Sequence, residues 1–205
     1  REAHTCRIHL KQPEALRKLL QDSGLRVPET LEGRVVDFLN RLPERGLVRQ
    51  NNAAIETAMA VYRDLGQVKQ QLIAEGAWST APGEGDDDDN SLRDAKELSR
   101  LRAAATVTQR MLKACEVCVD KLDVKLDEDG AEVLTAQDYV MYVETKMMRG
   151  EPQKEFVATP IEIGPLVLPA LKKIGTAVFT SATLSTGGTF DYMCREFGFR
   201  PDEIK

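Results

Sequence analysis

No stretch of this chain reads as a membrane span, which takes about 20 apolar residues in a row. No charged-then-apolar leader opens it and no Met stands at its start. The missing Met reads as a piece of a longer protein, and the missing leader argues against secretion. Cysteine is scarce, with Cys6, Cys115, Cys118 and Cys194 the only four. Two stand alone, and the C-x-x-C pair lies in a strongly helical segment without the turn and second ligand pair of a metal knuckle. The expectation is buried, reduced thiols in a cytoplasmic protein. Positive charge is not in excess either: 28 Lys and Arg face 33 Asp and Glu, a net of -5. The chain as a whole carries no electrostatic footprint for nucleic acid, although a local basic face can hide in that sum. The phosphate loop G-x-x-x-x-G-K-[ST] is absent as well.

What is present suits a globular protein. Of the 205 residues, 42% are apolar and 30% charged, enough for one or two domains with a real core. Residues 1 to 12 are too short to fold alone. From "PEALRKLLQD" a helix is expected, with Pro13 in its first turn and Gly24 near its end. A second is expected over about 28 to 42 and a third over about 51 to 75. The third shows Ile55, Ala58, Tyr62, Leu65 and Leu72 at helical spacing, interrupted at Lys69. "GAWSTAPGEGDDDDNS" follows, a polar loop without the ligand spacing of a calcium loop. A long helix over about 92 to 122 carries a coiled-coil-like seam through positions 98, 101, 105, 108, 112, 115, 119 and 122. The third and fourth helices are expected to pack as an antiparallel hairpin roughly 40 Å long. The Lys and Arg of the fourth (Arg93, Lys96, Arg100, Arg102, Arg110, Lys113) read by default as a solvated face with i,i+4 pairs.

Beyond "DEDGAE" the period changes. "DYVMYVET" and "EFVATPIEIG" read as strands, with Pro160 ending the second, and "KMMRGEPQK" between them is long for a hairpin turn. "PLVLPALKKI" reads as a short helix, "TAVFTSAT" as a short buried strand, and "TFDYMCREFG" as a helix with Thr189 at its cap. The expected fold is mixed α/β and predominantly helical, with a helical insertion inside a sheet-containing domain. Thr180 to Thr183 follow the strand "AVF" directly, where α/β sheets bind ligands, although Ser and Thr at such positions also serve simply as turn formers.

At the other end stand Glu2-Ala3-His4. Together E-A-H and T-S-A-T-L resemble motifs II and III of superfamily-2 helicases. Their order, and the mainly helical stretch between them, resembles the XPD/DinG family of DNA helicases, most of all its bacterial DinG-like branch. In that family a helical arch is inserted between the two motifs. The lead-in "DYVMYVETK…FVATPIEIGPLV" and the continuation "AVFTSATLS…FDYMCREFG" are similar to that family too. The resemblance implies three segments: 1–12 ending motif II, 13–136 the arch with its long antiparallel helix hairpin, and 137–205 returning to a RecA-like motor domain with motif III.

The same resemblance implies an ATP-dependent DNA helicase, linked to repair or replication, that translocates 5′ to 3′ on single-stranded DNA. Its partners would be single-stranded and forked duplex DNA, its cofactors ATP and Mg²⁺, its state monomeric and cytoplasmic without a membrane. Glu2 would polarise the attacking water and contact the nucleotide. His4 would bridge to Ser181, Ala182 and Thr183, the coupling motif. Any 4Fe–4S ligands would lie outside this chain, since two thiols on a helix cannot supply four. The pattern departs at Arg1, where the D-E-A-H box has the Asp that holds magnesium. Without the phosphate loop and second motor domain, this chain alone is expected to be inactive. The competing reading is a non-catalytic helical interaction module.

Overall fold

The computed structural model describes residues 5–48, 52–78, 95–119, 139–148, 150–161, 164, 189–197 and 199. Strand β1 (Cys6–His9) leads into helix α1 (Gln12–Leu20), followed by α2 (Thr30–Asn40) and the two-residue strand β2 (Gly46–Leu47). The long helices α3 (Asn52–Ala74) and α4 (Ala95–Cys118) come next, then strands β3 (Tyr139–Met148) and β4 (Glu151–Pro160), and helix α5 (Asp191–Phe197). The fold is mixed α/β, and helix predominates among the described residues.

The passage from β1 into α1 is held by Gln12, which is 9% exposed. Its Oε1 accepts from the His9 amide at 2.9 Å and its Nε2 donates to the Arg7 carbonyl at 3.0 Å. Pro13 stands in the first turn of α1, where its fixed φ suits a helix and no hydrogen bond is lost. In α2, Leu31, Val35, Phe38 and Leu39 form the buried stripe. α3 ends in a Schellman cap: the Ala77 amide donates to the Leu72 carbonyl and the Gly76 amide to that of Ile73, both at 3.0 Å. Gly76 sits at φ 67, a left-handed conformation that only glycine takes cheaply.

The buried face of α3 is Ala54, Ala58, Val61, Leu65, Val68 and Leu72, an unbroken alternation of four and three. It lies one residue away from the expected stripe at Ile55, Tyr62 and Lys69. Lys69 interrupts nothing; its ammonium stands 5.2 Å from the centroid of the Trp78 ring. One buried position on this helix is charged: Asp64 accepts from Thr30 Oγ1 at 2.7 Å and from Arg34 at 2.5 Å.

α4 buries more than a seam. Leu101, Ala105, Thr108, Leu112 and Cys115 are joined by Ala104, Met111, Ala114, Val117 and Cys118, because the helix packs on α3, on α1 and on β1. Thr108 is tolerated there because its hydroxyl donates to the Ala104 carbonyl at 2.8 Å. The Tyr62 hydroxyl reaches Glu116, while the α1–α2 connection touches Gln71 through Arg26 and Arg100 through Asp22. The early part of α3 thus lies by the late part of α4, so the two helices run antiparallel as expected.

The sheet order is β1-β4-β3-β2, with every described neighbour antiparallel. Met148 pairs with Glu151, leaving two residues between β3 and β4, the second of them Gly150 at φ 84. Most of the segment expected to be a long connection, 146 to 148 and 151 to 154, is therefore strand. A two-residue turn needs positive φ, and Gly150 supplies it. Ile8, Phe156, Ala158 and Val143 face the helices and join one hydrophobic cluster with residues of α1 through α4. Phe38 and Phe156 pack edge to face at 5.3 Å and tie α2 to the sheet. The expected helix over 165–174 and strand over 176–183 lie outside the described residues.

Candidate functional site

Glu2, His4, Ser181, Ala182 and Thr183, with Arg1 beside them, lie outside the described residues. What surrounds them in sequence is described. β1 follows the E-A-H stretch, and β4 precedes the segment that carries S-A-T. These two strands are hydrogen-bonded neighbours: Cys6 pairs with Ala158 and His9 with Glu155. Beyond Cys6 the ladder closes with the Thr5 and Thr159 hydroxyls at 3.4 Å.

On the sheet face turned away from the helices sits a charged cluster that composition and spacing did not reveal. The hairpin register sets Glu144 directly opposite Glu155, and like charges facing across a ladder repel. Arg7, from β1, resolves the conflict. Its guanidinium bonds Glu144 and reaches Glu155 at 3.1 Å. Lys146 completes the set at 3.1 Å from Glu144 and 3.5 Å from Glu155. Burial works against the charge on Glu144, yet the hydrogen bonds and charges of Arg7 and Lys146 hold its carboxyl below the ordinary value. Burial likewise opposes Arg7, and Glu144 and Glu155 outweigh it. The bond to Glu144 raises Lys146. Two carboxylates shared by two cations leave no free base, so the cluster clamps three strands together rather than transferring protons. Its signal in the sequence was the alternation Glu144, Lys146 on one strand face, readable only once the two-residue turn fixes the register.

His9 lies at the edge of this cluster. Burial lowers its pKa most, Glu155 opposes, and Lys11, Arg7 and Lys146 add to the lowering. Its Nδ1 accepts from the Lys11 amide at 3.3 Å, which places the proton of the neutral ring on Nε2.

All four cysteines are free and buried. Burial pushes Cys118 up to about 11 and Cys115 well above the ordinary thiol value, so the C-x-x-C pair stays protonated on the apolar side of α4. Burial also raises Cys6 to about 11, although the charges of Lys113 and Arg110 pull the other way. Among the described residues no three His, Cys, Asp or Glu gather to hold a metal. No described helix is long and apolar enough to cross a membrane.

A cleft of about 290 Å³ opens between the end of α1 and the start of α4, lined by Leu19, Asp22, Ser23, Lys96, Glu97 and Arg100. Arg100 spends its charge across it on Asp22. No protein-family model matches this chain, and no curated protein matches it significantly.

Proposed function

We propose that this chain is the part of an XPD/DinG-type ATP-dependent DNA helicase that runs from motif II, through the arch, to motif III of a RecA-like motor domain. One observation carries the reading beyond the motifs. β1 leads into the helical region and β4, after β3, follows it, and these two strands pair, Cys6 with Ala158, 152 positions apart in sequence. An insertion leaves its host undisturbed only when its two ends lie side by side. The paired strands supply such a stalk, with E-A-H leading into one and S-A-T following the other.

On this reading Glu2 accepts the proton of the attacking water. His4 connects it to the hydroxyls of Ser181 and Thr183, and that contact relays the state of the nucleotide site to the DNA path. Bound ATP with Mg²⁺ would supply the phosphoryl group whose hydrolysis drives the motor. No cluster among the described residues is suited to the metal, so no step is assigned to them. Arg1, in place of the magnesium-holding Asp, would repel the cation.

The test is a Ser181→Ala/Thr183→Ala double variant of the protein carrying both motor domains. Each lost hydrogen bond is worth roughly 0.5–1.5 kcal/mol, too little to unfold the domain. DNA-stimulated ATP hydrolysis should persist while strand separation per ATP falls sharply. Unchanged separation per ATP would remove the coupling role of the hydroxyl run. A wild-type protein without DNA-stimulated hydrolysis would overturn the helicase reading in favour of an interaction module.

A further inference from the structure

The chain holds two histidines, and His9 is the one among the described residues. It takes no part in the motor chemistry proposed above. Half-buried, it ends β1 two residues before Lys11, the N-cap of α1. Three hydrogen bonds tie strand to helix across this passage. Two run through the Gln12 side chain, one from the His9 amide and one to the Arg7 carbonyl. The third runs from the Lys11 amide to His9 Nδ1 at 3.3 Å. Only the third depends on a group that titrates near neutrality.

A ring nitrogen accepts a hydrogen bond only while it is unprotonated. Protonated His9 carries N–H on both nitrogens, so the Lys11 amide would face a donor whichever way the ring turned. An amide at the start of a helix has no partner within that helix to fall back on. The surroundings offer the cation little in return. The positive end of the α1 dipole lies beside it. Lys11 from the helix start, Arg7 from the same strand and Lys146 from β3 repel it, while the Glu155 carboxylate from β4 attracts it. Glu155 stands opposite His9 in the ladder, but Arg7 and Lys146 already share it. Glu144 of β3, the other carboxylate of the cluster, is held by the same two cations.

We infer that the passage from β1 into α1 is an acid-opened latch: protonation of His9 cancels the Lys11 bond and loosens the start of α1 from the end of the strand. Gln12 does not titrate, so its two bonds keep the elements in register while the latch is open. Burial first, then the three cations, hold His9 below its ordinary 6.5, and the latch is closed at neutral pH. A histidine that is harder to protonate when folded gives stability that is complete above the unfolded value of about 6.5 and drains away as pH falls below it through the folded one. Glu144 is held below 4.5, so the corresponding loss from the charge cluster begins only there.

The test is a nuclear magnetic resonance titration of the 205-residue chain with His9→Asn and His9→Ala beside it, from about pH 7.5 to about pH 5, a range that brackets an unperturbed histidine. Asn carries Oδ1 where His carries Nδ1, and accepts from the Lys11 amide at any pH. Ala removes the acceptor. The His9 ring signal is the one both variants lack, and circular dichroism checks that each is folded. In wild type the His9 ring should titrate below 6.5. With the same midpoint, the Lys11 amide should lose roughly 2- to 10-fold of its protection from solvent exchange, relative to the intrinsic rate at each pH, as one hydrogen bond goes. His9→Asn should keep that protection across the range, and His9→Ala should lack it throughout. A His9 midpoint at or above 6.5 overturns the latch. So does Lys11 protection that ignores the His9 midpoint, or that falls equally in His9→Asn. If a variant fails to fold, the coincidence of the two wild-type midpoints decides alone. The latch rests on β1, α1 and the charge cluster, so neither result bears on the motor reading, which stands or falls on ATP hydrolysis and unwinding.

Discussion

Along α3 every buried position but one is apolar and falls on a single helical stripe. On the sheet face turned from the helices, fully buried Val157 stands in line between half-buried Tyr142 and Arg7, and the next row sets Glu144 against buried Glu155. The helices bury by periodicity, and a residue's phase settles its place. The sheet buries by register, and charges are tolerated because strands distant in sequence bring compensating ones. The two regions hold one buried carboxylate each that differs in its support. Asp64 depends on a single cation, Arg34, whereas Glu155 shares Arg7 and Lys146 with Glu144.

The largest effect is expected where the regions meet. Phe156→Ala removes a fully buried ring and the edge-to-face contact with Phe38, at a cost of about 3–5 kcal/mol. Because one cluster spans both regions, urea unfolding followed by far-ultraviolet dichroism and by Trp78 fluorescence should give coincident, down-shifted transitions. Separate transitions would show that helices and sheet are independent units.

Next comes alkaline pH. Cys6 on the sheet and Cys118 on α4 are both raised from 9.0 to about 11. A thiol that is harder to ionise when folded stabilises fully below pH 9, and that contribution drains away as pH rises through 11. Each thiol should cost about 3 kcal/mol once the window is crossed. Denaturation midpoints should fall from pH 9 upward, less steeply in Cys6→Ala and Cys118→Ala. A wild-type stability flat to pH 11 would refute the burial of both thiols.

The paired carboxylates sharpen the comparison most finely. Asp64→Asn leaves Arg34 without its anion and should cost about 2 kcal/mol; Glu155→Gln leaves Glu144 to serve both cations and should cost about 1 kcal/mol. The reverse order, by denaturant titration, would mean that the sheet cluster is the more tightly coupled of the two.

The helices were legible because their ends and stripes are local facts: Pro13 opens α1, and Gly76 follows α3. The phase of α3 was misread where size outweighed spacing. Ile55 and Tyr62 look more like core than Ala54 and Val61, but only the phase through Ala54, Val61 and Val68 avoids Lys69. The turn between β3 and β4 was hidden because residues 146 to 154 are mostly polar, as a strand end exposed to solvent is expected to be. The charge cluster needs Arg7 beside Glu155, a juxtaposition 148 residues apart that no local pattern carries. Of the candidate site, sequence supplied the motifs, and the structure supplies the paired strands that flank them.

The central claim is that E-A-H and S-A-T face each other across neighbouring strands. Spin labels at Ala3→Cys and Ala182→Cys leave the side chains of Glu2, His4, Ser181 and Thr183 in place, and the four native thiols are buried. Pulsed dipolar spectroscopy should then return a single distance of about 20 Å or less, adjacent strands plus two label arms. A distance beyond about 30 Å, comparable with the length of the helix pair, would contradict the helicase assignment.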